Sequence, residues 1–321
     1  MTKPEIRPAT LDDAGLAADL MTAAYPPEPQ DPLVAGYRWT HTRDGWTFGR
    51  FIAELDARPI AYLGTQHGPW EKVPDRNCDI GVDLDLAYQS DEVADFLWSW
   101  IADQAVAGGA RILNAYAAED ETKLLNSLAR LGFERDRSEK VWELDFKKHG
   151  KRLLAEAAEA RQKMKGEEIE LLPLADWPGD ETIKRLHELN EAAVKDIPSS
   201  YPILPQTLDN FIDRMKAPDL LDDRLWLARH GNRPVAMSFL RFPPVRGHVW
   251  TGFTCSDPEY RGRGIARAVK LQSLAQAVEL GVPFVRTDND SENAPMLHIN
   301  EALGYHSRPG FASFVKRVSN G

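Results

Sequence analysis

The stretch that decides the fold is Asp257-Pro258-Glu259-Tyr260-Arg261-Gly262-Arg263-Gly264-Ile265-Ala266, which lies between a strand pattern and a helical pattern. The residues before it, from His248 to Cys255, are rich in β-branched and aromatic side chains, as strands are. After it, apolar residues recur at helical spacing from Ile265 to Val278. Two glycines therefore stand where a strand leads into the first turn of a helix.

This position suits the diphosphate of a cofactor. The first backbone N–H groups of a helix have no partner within the helix, and the helix dipole favours negative charge there. Gly262 and Gly264 let a ligand approach the backbone closely, and Arg261 and Arg263 add positive charge. No Walker lysine follows, and the third glycine of a dinucleotide fingerprint is missing. The alternative is an ordinary surface loop.

The segment from Arg261 to Ala266 resembles the Arg/Gln-x-x-Gly-x-Gly/Ala motif of the GCN5-related N-acetyltransferases, the GNAT family. A second block, similar to the family's ending, follows in Asn293-Ala294-Pro295-Met296-Leu297 and Ala302-Leu303-Gly304-Tyr305. The resemblance implies an α/β (α+β) fold with a mixed, mostly antiparallel sheet flanked by helices. It also implies that the co-substrate is acetyl-CoA or another acyl-CoA.

Length and composition limit the class of protein. The chain has 321 residues, enough for two domains, and its 43% hydrophobic and 27% charged residues predict a packed core. The net charge of −10 argues against nucleic acid as a partner. Cys78 and Cys255 lie far apart in the sequence, which favours a reducing compartment over a disulfide framework.

Metal and membrane signals are missing from the sequence pattern. The eight histidines show no metal-ligand spacing. The segment Met1 to Glu5 lacks the apolar core of a signal peptide, and no apolar run reaches transmembrane length. We therefore expect a cytoplasmic protein, monomeric or homodimeric, with no metal, no membrane and no nucleic acid among its partners.

Two repeated segments predict a duplication. Arg58-Pro59-Ile60-Ala61 matches Arg233-Pro234-Val235-Ala236 at a distance of 175 positions (233 minus 58). Leu131-Gly132-Phe133 matches Leu303-Gly304-Tyr305 at a distance of 172 positions (304 minus 132). Residues 147–166 between them read as a polar helix. The pattern predicts two tandem GNAT-like domains, 1–146 and 167–321, with 147–166 as a helical linker.

Only the second copy is predicted to bind the cofactor. A shift of 172 positions places Ser90 opposite Gly262 and Glu92 opposite Gly264, with Asp91 between them. These acidic side chains would repel a diphosphate, although they also suit the first turn of a helix in a purely structural role. We therefore expect a degenerate N-terminal domain and one cofactor per chain.

The resemblance implies which residues hold the cofactor. The strand residues contribute backbone hydrogen bonds to the pantetheine arm, and the loop contributes N–H groups to the diphosphate. Asn293 matches an Asn that commonly contacts the pantetheine arm, but it also suits the N-cap of the following helix. The expected cofactor-binding set is Phe253, Thr254, Cys255, Arg261, Gly262, Arg263, Gly264, Ile265, Ala266 and Asn293.

The catalytic residues are less sharply indicated. Many GNAT proteins have a tyrosine acid seven residues after the motif Asn, and here that position is Asn300, which cannot give up a proton. Either another group serves, or the CoA thiolate leaves unaided, since it is a tolerable leaving group. Asn300 remains a candidate for hydrogen bonding to the sulfur or the substrate.

Several groups are candidates for the base that takes the proton of the amine. Asp288, at the end of a predicted strand, is the first, with a turn-capping role as its alternative. His248 has a suitable unperturbed pKa, although it also reads as a surface histidine. Glu292, His298 and ordered water are further possibilities.

The sequence thus predicts an N-acyltransferase that moves an acetyl group from acetyl-CoA to an amine of a small molecule. Its tandem arrangement resembles mycothiol-synthase-like and antibiotic-modifying acetyltransferases. Three alternatives stay open: transfer to a peptide or protein amine, a non-catalytic acyl-CoA-binding regulatory module, and an aminoacyl-tRNA or formimidoyl donor.

Overall fold

A computed structural model describes residues 3–199 and 203–318 of the chain. These residues form one sheet of twelve strands: β1 (Glu5–Pro8), β2 (Thr47–Leu55), β3 (Arg58–His67), β4 (Asn77–Leu84), β5 (Ile112–Ala118), β6 (Glu134–Asp145), β7 (Ile169–Pro173), β8 (Leu225–His230), β9 (Arg233–Arg241), β10 (Trp250–Ser256), β11 (Phe284–Asp290) and β12 (His306–Arg317).

Helices cover the two faces of this sheet. Those in the described residues are α1 (Ala14–Ala24), α2 (Pro32–Thr40), α3 (Asp91–Ala107), α4 (Thr122–Arg130), α5 (Phe146–Gly166), α6 (Asp180–Val194), α7 (Leu208–Met215), α8 (Ile265–Glu279) and α9 (Ala294–Leu303). None of the helices in the described part of the chain has the length and apolar composition needed to span a membrane.

The strand order is β1-β2-β3-β4-β5-β12-β6-β11-β10-β9-β8-β7. In each half of the chain, successive strands therefore run from an outer edge of the sheet toward its middle, from β1 to β5 in the first half and from β7 to β11 in the second. The last strand of each half is exchanged: β12 pairs with β5, and β6 pairs with β11. The predicted fold class is confirmed, and the exchange joins the two GNAT-like sheets into one.

Helix α5 spans the region that the sequence indicated as a polar helix. The Asp145 side chain caps it by accepting from the N–H groups of Lys147 and Lys148. Because β6 and β12 are exchanged, neither half of the chain completes its sheet from its own residues. The predicted division into domains 1–146 and 167–321, with 147–166 as linker, therefore stays a prediction, because each of these segments contributes a strand to the sheet of the other.

The sheet opens at two equivalent places where parallel strands separate. Strands β4 and β5 pair from Asn77–Ile112 to Ile80–Ala115 and then diverge. Strands β10 and β11 pair only at Trp250–Arg286, and β10 carries a bulge against β9 between Thr251 and Phe253. In the first half, the strand beside the opening, β4, leads into helix α3. In the second half, the equivalent strand, β10, leads into helix α8.

Helix α8 is the central packing element of the second half. Leu271 and Leu274 are fully buried with Leu153 of α5 and Val285 of β11 in one apolar cluster. On the same helix, Ile265 is buried in a second cluster. Because α8 is enclosed along most of its length, its N-terminus and the loop before it are held in a fixed place relative to the opening.

Candidate active site

The loop between β10 and α8 begins with a 3-10 turn, Pro258–Tyr260, that the Asp257 side chain caps. Gly262 and Gly264 follow with φ angles of +77° and +78°, in the left-handed region that favours glycine. Nothing lies within 4 Å of the position that a Cβ atom would take at either glycine. The glycines therefore serve a backbone conformation and leave open space beside the loop.

The N-terminus of α8 has free backbone donors. Its first helical hydrogen bond runs from the Ala268 N–H to the Gly264 carbonyl at 3.0 Å. The N–H groups of residues 265–267 therefore have no acceptor within the helix. Together with the helix dipole, they make this end of α8 suitable for an anion.

The arginines around the loop are all engaged with carboxylates. Arg261 pairs with Asp196 at 2.6 Å, and Arg263 pairs with Glu167 at 2.9 Å. These pairs are exposed or half-buried, so each contributes only about 0–1 kcal/mol. These two guanidinium groups are therefore held only by weak surface pairs.

The predicted pantetheine strand has one paired edge and one open edge. Phe253, Thr254 and Cys255 pair with β9, but the ladder between β10 and β11 ends before them, at Trp250. The backbone groups of this segment on the β11 side thus face the opening. Burial raises the pKa of the Cys255 thiol to about 12, which keeps it neutral and excludes it as a thiolate nucleophile.

Asn293 and Asn300 lie at the start and in the last turn of α9. Asn293 is the N-cap, and its side chain accepts from the Met296 N–H at 3.4 Å. The capping role that the sequence offered for this residue is therefore present. Asn300 is fully buried. Its Oδ1 accepts from Lys270 Nζ at 2.7 Å, and its Nδ2 donates to Asn289 Oδ1 at 2.5 Å.

Lys270 is a site residue that the sequence analysis missed. It lies on α8, is fully buried, and has its ammonium group 5.1 Å from the centre of the Tyr305 ring. Burial lowers its pKa to about 7, although the charge of Asp288 opposes this shift. Little in the sequence signals it: Lys270 lies between the apolar Val269 and Leu271, and the helical spacing of Ile265, Val269 and Leu274 does not show that a lysine among them is buried.

Asp288 lies on the opposite face of the sheet from Asn289, because successive strand residues alternate. It sits within β11 rather than at the strand's end as predicted, because pairing with β6 continues to Asp290. Its Oδ1 accepts from Trp250 Nε1 at 2.6 Å, and its side chain is exposed. The structure thus places a fixed carboxylate beside the β10–β11 opening.

The other candidate bases stand in different surroundings. His248 precedes β10 instead of lying in it, and its Nε2 is 3.1 Å from the Pro27 carbonyl. Burial lowers the pKa of His248, which favours the neutral imidazole. Glu292 is engaged with Arg137 at 2.7 Å, and His298 is exposed on α9.

A cavity of about 310 Å³ lies between the two halves of the sheet, on the face that carries Trp250. Its walls include His248 and Trp250 from the second half and residues of α1, α2 and the loop between them from the first half. Arg286 fixes that loop by donating to the Pro27 carbonyl and to Glu28, each at 2.7 Å. Trp250 lines this cavity and donates a hydrogen bond to Asp288, so the cavity lies next to the residue that holds this carboxylate.

Residues 186–305 match the model of the Acetyltransferase (GNAT) family. The matched segment lies in the second half of the chain and contains the loop 257–266 and helices α8 and α9. No protein with curated annotation matches the chain.

Solved structures extend the likeness to the whole chain. A tandem GNAT protein from the clavulanic acid biosynthesis pathway superposes with a TM-score of 0.78 at 16% identity, covering 99% of this chain and 100% of the other. A GCN5-related N-acetyltransferase from Sphaerobacter thermophilus gives 0.68 at 16% identity, covering 99% and 96%. A GNAT-family acetyltransferase from Colwellia psychrerythraea gives 0.62 at 13% identity, covering 98% and 100%. The chain therefore has the tandem GNAT fold.

The N-terminal counterpart of the GNAT domain's loop differs from the predicted alignment. Asp85 and Asp257 each cap a 3-10 turn, and they are 172 positions apart, as predicted from the repeat. Ser90, however, is the N-cap of α3, as Gly264 is the N-cap of α8, so Ser90 corresponds to Gly264. The placement of Glu92 opposite Gly264 is wrong, because the N-terminal loop is two residues shorter. The shorter loop has no left-handed glycine, and the Ser90 hydroxyl accepts from the Val93 N–H.

Proposed function

We propose that the protein transfers an acyl group, acetyl in the first instance, from acetyl-CoA to an amine of a small molecule. The observation that carries this proposal is the loop 257–266, with two left-handed glycines at the free N-terminus of α8 beside an open sheet edge. The reaction occurs in the C-terminal GNAT domain and uses one acyl-CoA per chain.

The cofactor residues divide into two groups by chemistry. The N–H groups of residues 262–266 and the guanidinium groups of Arg261 and Arg263 bind the diphosphate, since all of them are donors beside a helix N-terminus. The backbone of Phe253, Thr254 and Cys255 binds the pantetheine amides along the open edge of β10. Asn293, although it caps α9, keeps its Nδ2 donors available for the same arm.

The acceptor amine enters through the 310 Å³ cavity and loses its proton before or during attack on the acyl carbon. Asp288 is the first candidate for the proton acceptor, because the Trp250 indole fixes its carboxylate and leaves the second oxygen free. His248 is the second. When its Nε2–H donates to the Pro27 carbonyl, the neutral ring keeps Nδ1 as an acceptor.

The departing thiolate needs charge stabilisation, because Asn300 cannot supply a proton. Lys270 holds its ammonium group against Asn300 Oδ1 in a buried place. Where the local dielectric is low, this positive charge stabilises a thiolate several ångströms away without direct contact. In this proposal Lys270 is a positioning residue for Asn300 and a source of positive potential at the opening.

The proposal is tested by thiol release from acetyl-CoA across a panel of small primary amines and basic peptides. We expect turnover with at least one small amine and none above background with the peptides. Turnover only with peptides would move the acceptor to the peptide class. Tight acetyl-CoA binding with no turnover on any acceptor would favour the regulatory module instead.

A further inference from the structure

A second cavity, of about 400 Å³, lies in the N-terminal half, where β4 and β5 separate. It reaches from Tyr25, which follows α1, across the strands β2 to β4, to Trp98 on α3. It therefore occupies the opening that corresponds to the cofactor opening of the second half. A cavity of this size accommodates a small organic molecule.

The lining of this cavity is strongly acidic. Among the described residues, it carries the carboxyl groups of Glu28, Asp79, Asp83 and Glu121, one guanidinium group from Arg50, and no lysine or histidine. Arg50 is held against one wall, with its guanidinium carbon 4.7 Å and 5.1 Å from the ring centres of Trp39 and Phe48. The cavity thus presents an excess of negative charge.

Two of these carboxyl groups are not compensated by a positive charge. Glu28 pairs with Arg286 at 2.7 Å, but Asp83 has no hydrogen-bond donor among the residues that the structure describes. Burial and the charge of Glu121 raise the pKa of Asp83 to about 7. Within the described part of the chain, Glu121 accepts only from the Ala118 N–H, at 3.3 Å, and desolvation raises its pKa to about 7 as well. Both side chains are half-buried. A carboxyl group whose pKa is raised for want of a partner ionises more readily when a cation binds beside it, so these two groups favour a cationic ligand.

Aromatic rings make up much of the remaining wall. They come from every side of the cavity: Tyr25, Phe48, Tyr62, Trp98, Tyr116 and Phe311. Ring faces attract organic cations, and they also give a flat apolar body a surface to pack against. Carboxylates and aromatic rings together favour an ammonium group attached to an apolar skeleton.

The same residues disfavour a second acyl-CoA. A diphosphate would meet Asp91 and Glu92 in the first turn of α3, where Ser90 already accepts one of the free N–H groups. The pantetheine arm would have to lie beside Asp83 and Glu121 without neutralising either. The N-terminal half therefore has the same opening between strands as the C-terminal half, but the acidic residues beside it disfavour an anionic ligand.

We propose that the N-terminal cavity binds an organic cation, a primary amine on an aromatic or apolar body, through Asp83 and Glu121. This binding is a property of the N-terminal half and does not depend on acyl transfer in the GNAT domain. The amine's ammonium group supplies the positive charge that Asp83 lacks, and its body packs on the rings.

The test is calorimetric titration of the full-length protein with tyramine and with tyrosol, which has a hydroxyl in place of the amine. We expect tyramine to bind at least about tenfold more tightly than tyrosol, the loss expected for one charge-assisted contact. Asp83→Asn and Glu121→Gln should each weaken tyramine binding by at least about tenfold. Asp103→Asn, a matched change on the exposed surface of α3, should leave it unchanged.

Three results would overturn the proposal. They are equal affinity for tyramine and tyrosol, unchanged tyramine binding in folded Asp83→Asn and Glu121→Gln, and no binding of tyramine, benzylamine or spermidine at millimolar concentration. A second acetyl-CoA per chain would also overturn it, by giving this cavity to the cofactor. Failure of acetyl-CoA to bind at all would count against the proposed function and leave the amine site standing.

Discussion

Lys270 Nζ donates a hydrogen bond to Asn300 Oδ1 at 2.7 Å, and both side chains are inaccessible to solvent. Asn300 stands where the GNAT pattern has its tyrosine acid, and the lysine comes from the helix that follows the diphosphate loop. The second bond of Asn300, to Asn289, ties α9 to β11. These three side chains therefore connect the loop's helix to the edge of the opening.

This connection predicts strong coupling between Lys270 and Asn300. Asn300→Leu leaves a buried ammonium without its acceptor and should destabilise the fold by about 3–5 kcal/mol. Lys270→Met removes the desolvated charge and leaves only a neutral amide oxygen unpaired, so we expect a loss of about 1–3 kcal/mol. The double variant should lose less than the sum of the two, as measured by urea unfolding. Strict additivity would mean that the pair is not coupled.

Lys270 should also shape the pH profile of turnover. Because burial lowers its pKa to about 7, its positive charge fades as the pH rises through neutrality. We expect kcat of the wild type to fall on the alkaline side for this reason, and we expect that limb to be absent in Lys270→Met. The KM for acetyl-CoA should change little, since Lys270 lies away from the diphosphate loop. An unchanged alkaline limb in the variant would exclude Lys270 as its source.

The raised pKa of Asp83 should make the free energy of unfolding fall as the pH rises. Its folded-state pKa is raised from 3.8 to about 7, so between these values the folded state holds a proton that the unfolded state has released. Stability should therefore fall as the pH rises from about 4 to 7, by at most ~1.4 kcal/mol per pH unit. Asp83→Asn should remove part of this fall, measured as the thermal midpoint against pH, with Asp103→Asn as control. Parallel curves for wild type and Asp83→Asn would contradict the raised pKa of Asp83.

The choice of base is tested by Asp288→Asn. If Asp288 takes the proton of the amine, its turnover should drop by roughly 10²–10⁴-fold, the usual span for a general acid–base residue. Acetyl-CoA affinity should stay nearly constant, because Asn retains an oxygen for the Trp250 indole. Glu301→Gln, a matched change at an exposed position of α9, is the control. Full activity in Asp288→Asn would shift the role to His248 or to ordered water.

The sequence predicted the elements that carry strong local signals. Helix α8 was indicated by apolar residues at helical spacing and α9 by the N-cap Asn293, and the two glycines marked the loop. Helix α2 was missed, although its signal was present: Asp31 caps it and Pro32 opens it.

Strands β6 and β12 gave little local signal, for a physical reason. The first part of β6 is a run of charged residues from Glu134 to Arg137, and β12 contains Pro309 and Gly310, both unfavourable in strands. These strands are held by pairing with each other and with β5 and β11 across the middle of the sheet. Such long-range pairing, like the contact of Lys270 with Asn300, leaves no periodic pattern in the sequence.

The most direct test of the central claim is acetyl-CoA calorimetry on two glycine variants of one helix. Gly264 and Gly281 flank α8, have φ angles of +78° and +76°, and both have open space beside the backbone. Gly264→Glu and Gly281→Glu should therefore carry similar backbone strain, of about 1–2 kcal/mol.

Only Gly264→Glu places a carboxylate in the diphosphate position. The loss of two charge-assisted hydrogen bonds, at about 1.5–3 kcal/mol each, predicts at least a ~100-fold weaker acetyl-CoA affinity. Gly281→Glu should bind one acetyl-CoA per chain as tightly as the wild type. Wild-type affinity in a folded Gly264→Glu protein would show that the loop 257–266 does not bind the diphosphate, and the proposed acyl transfer would lose its structural basis.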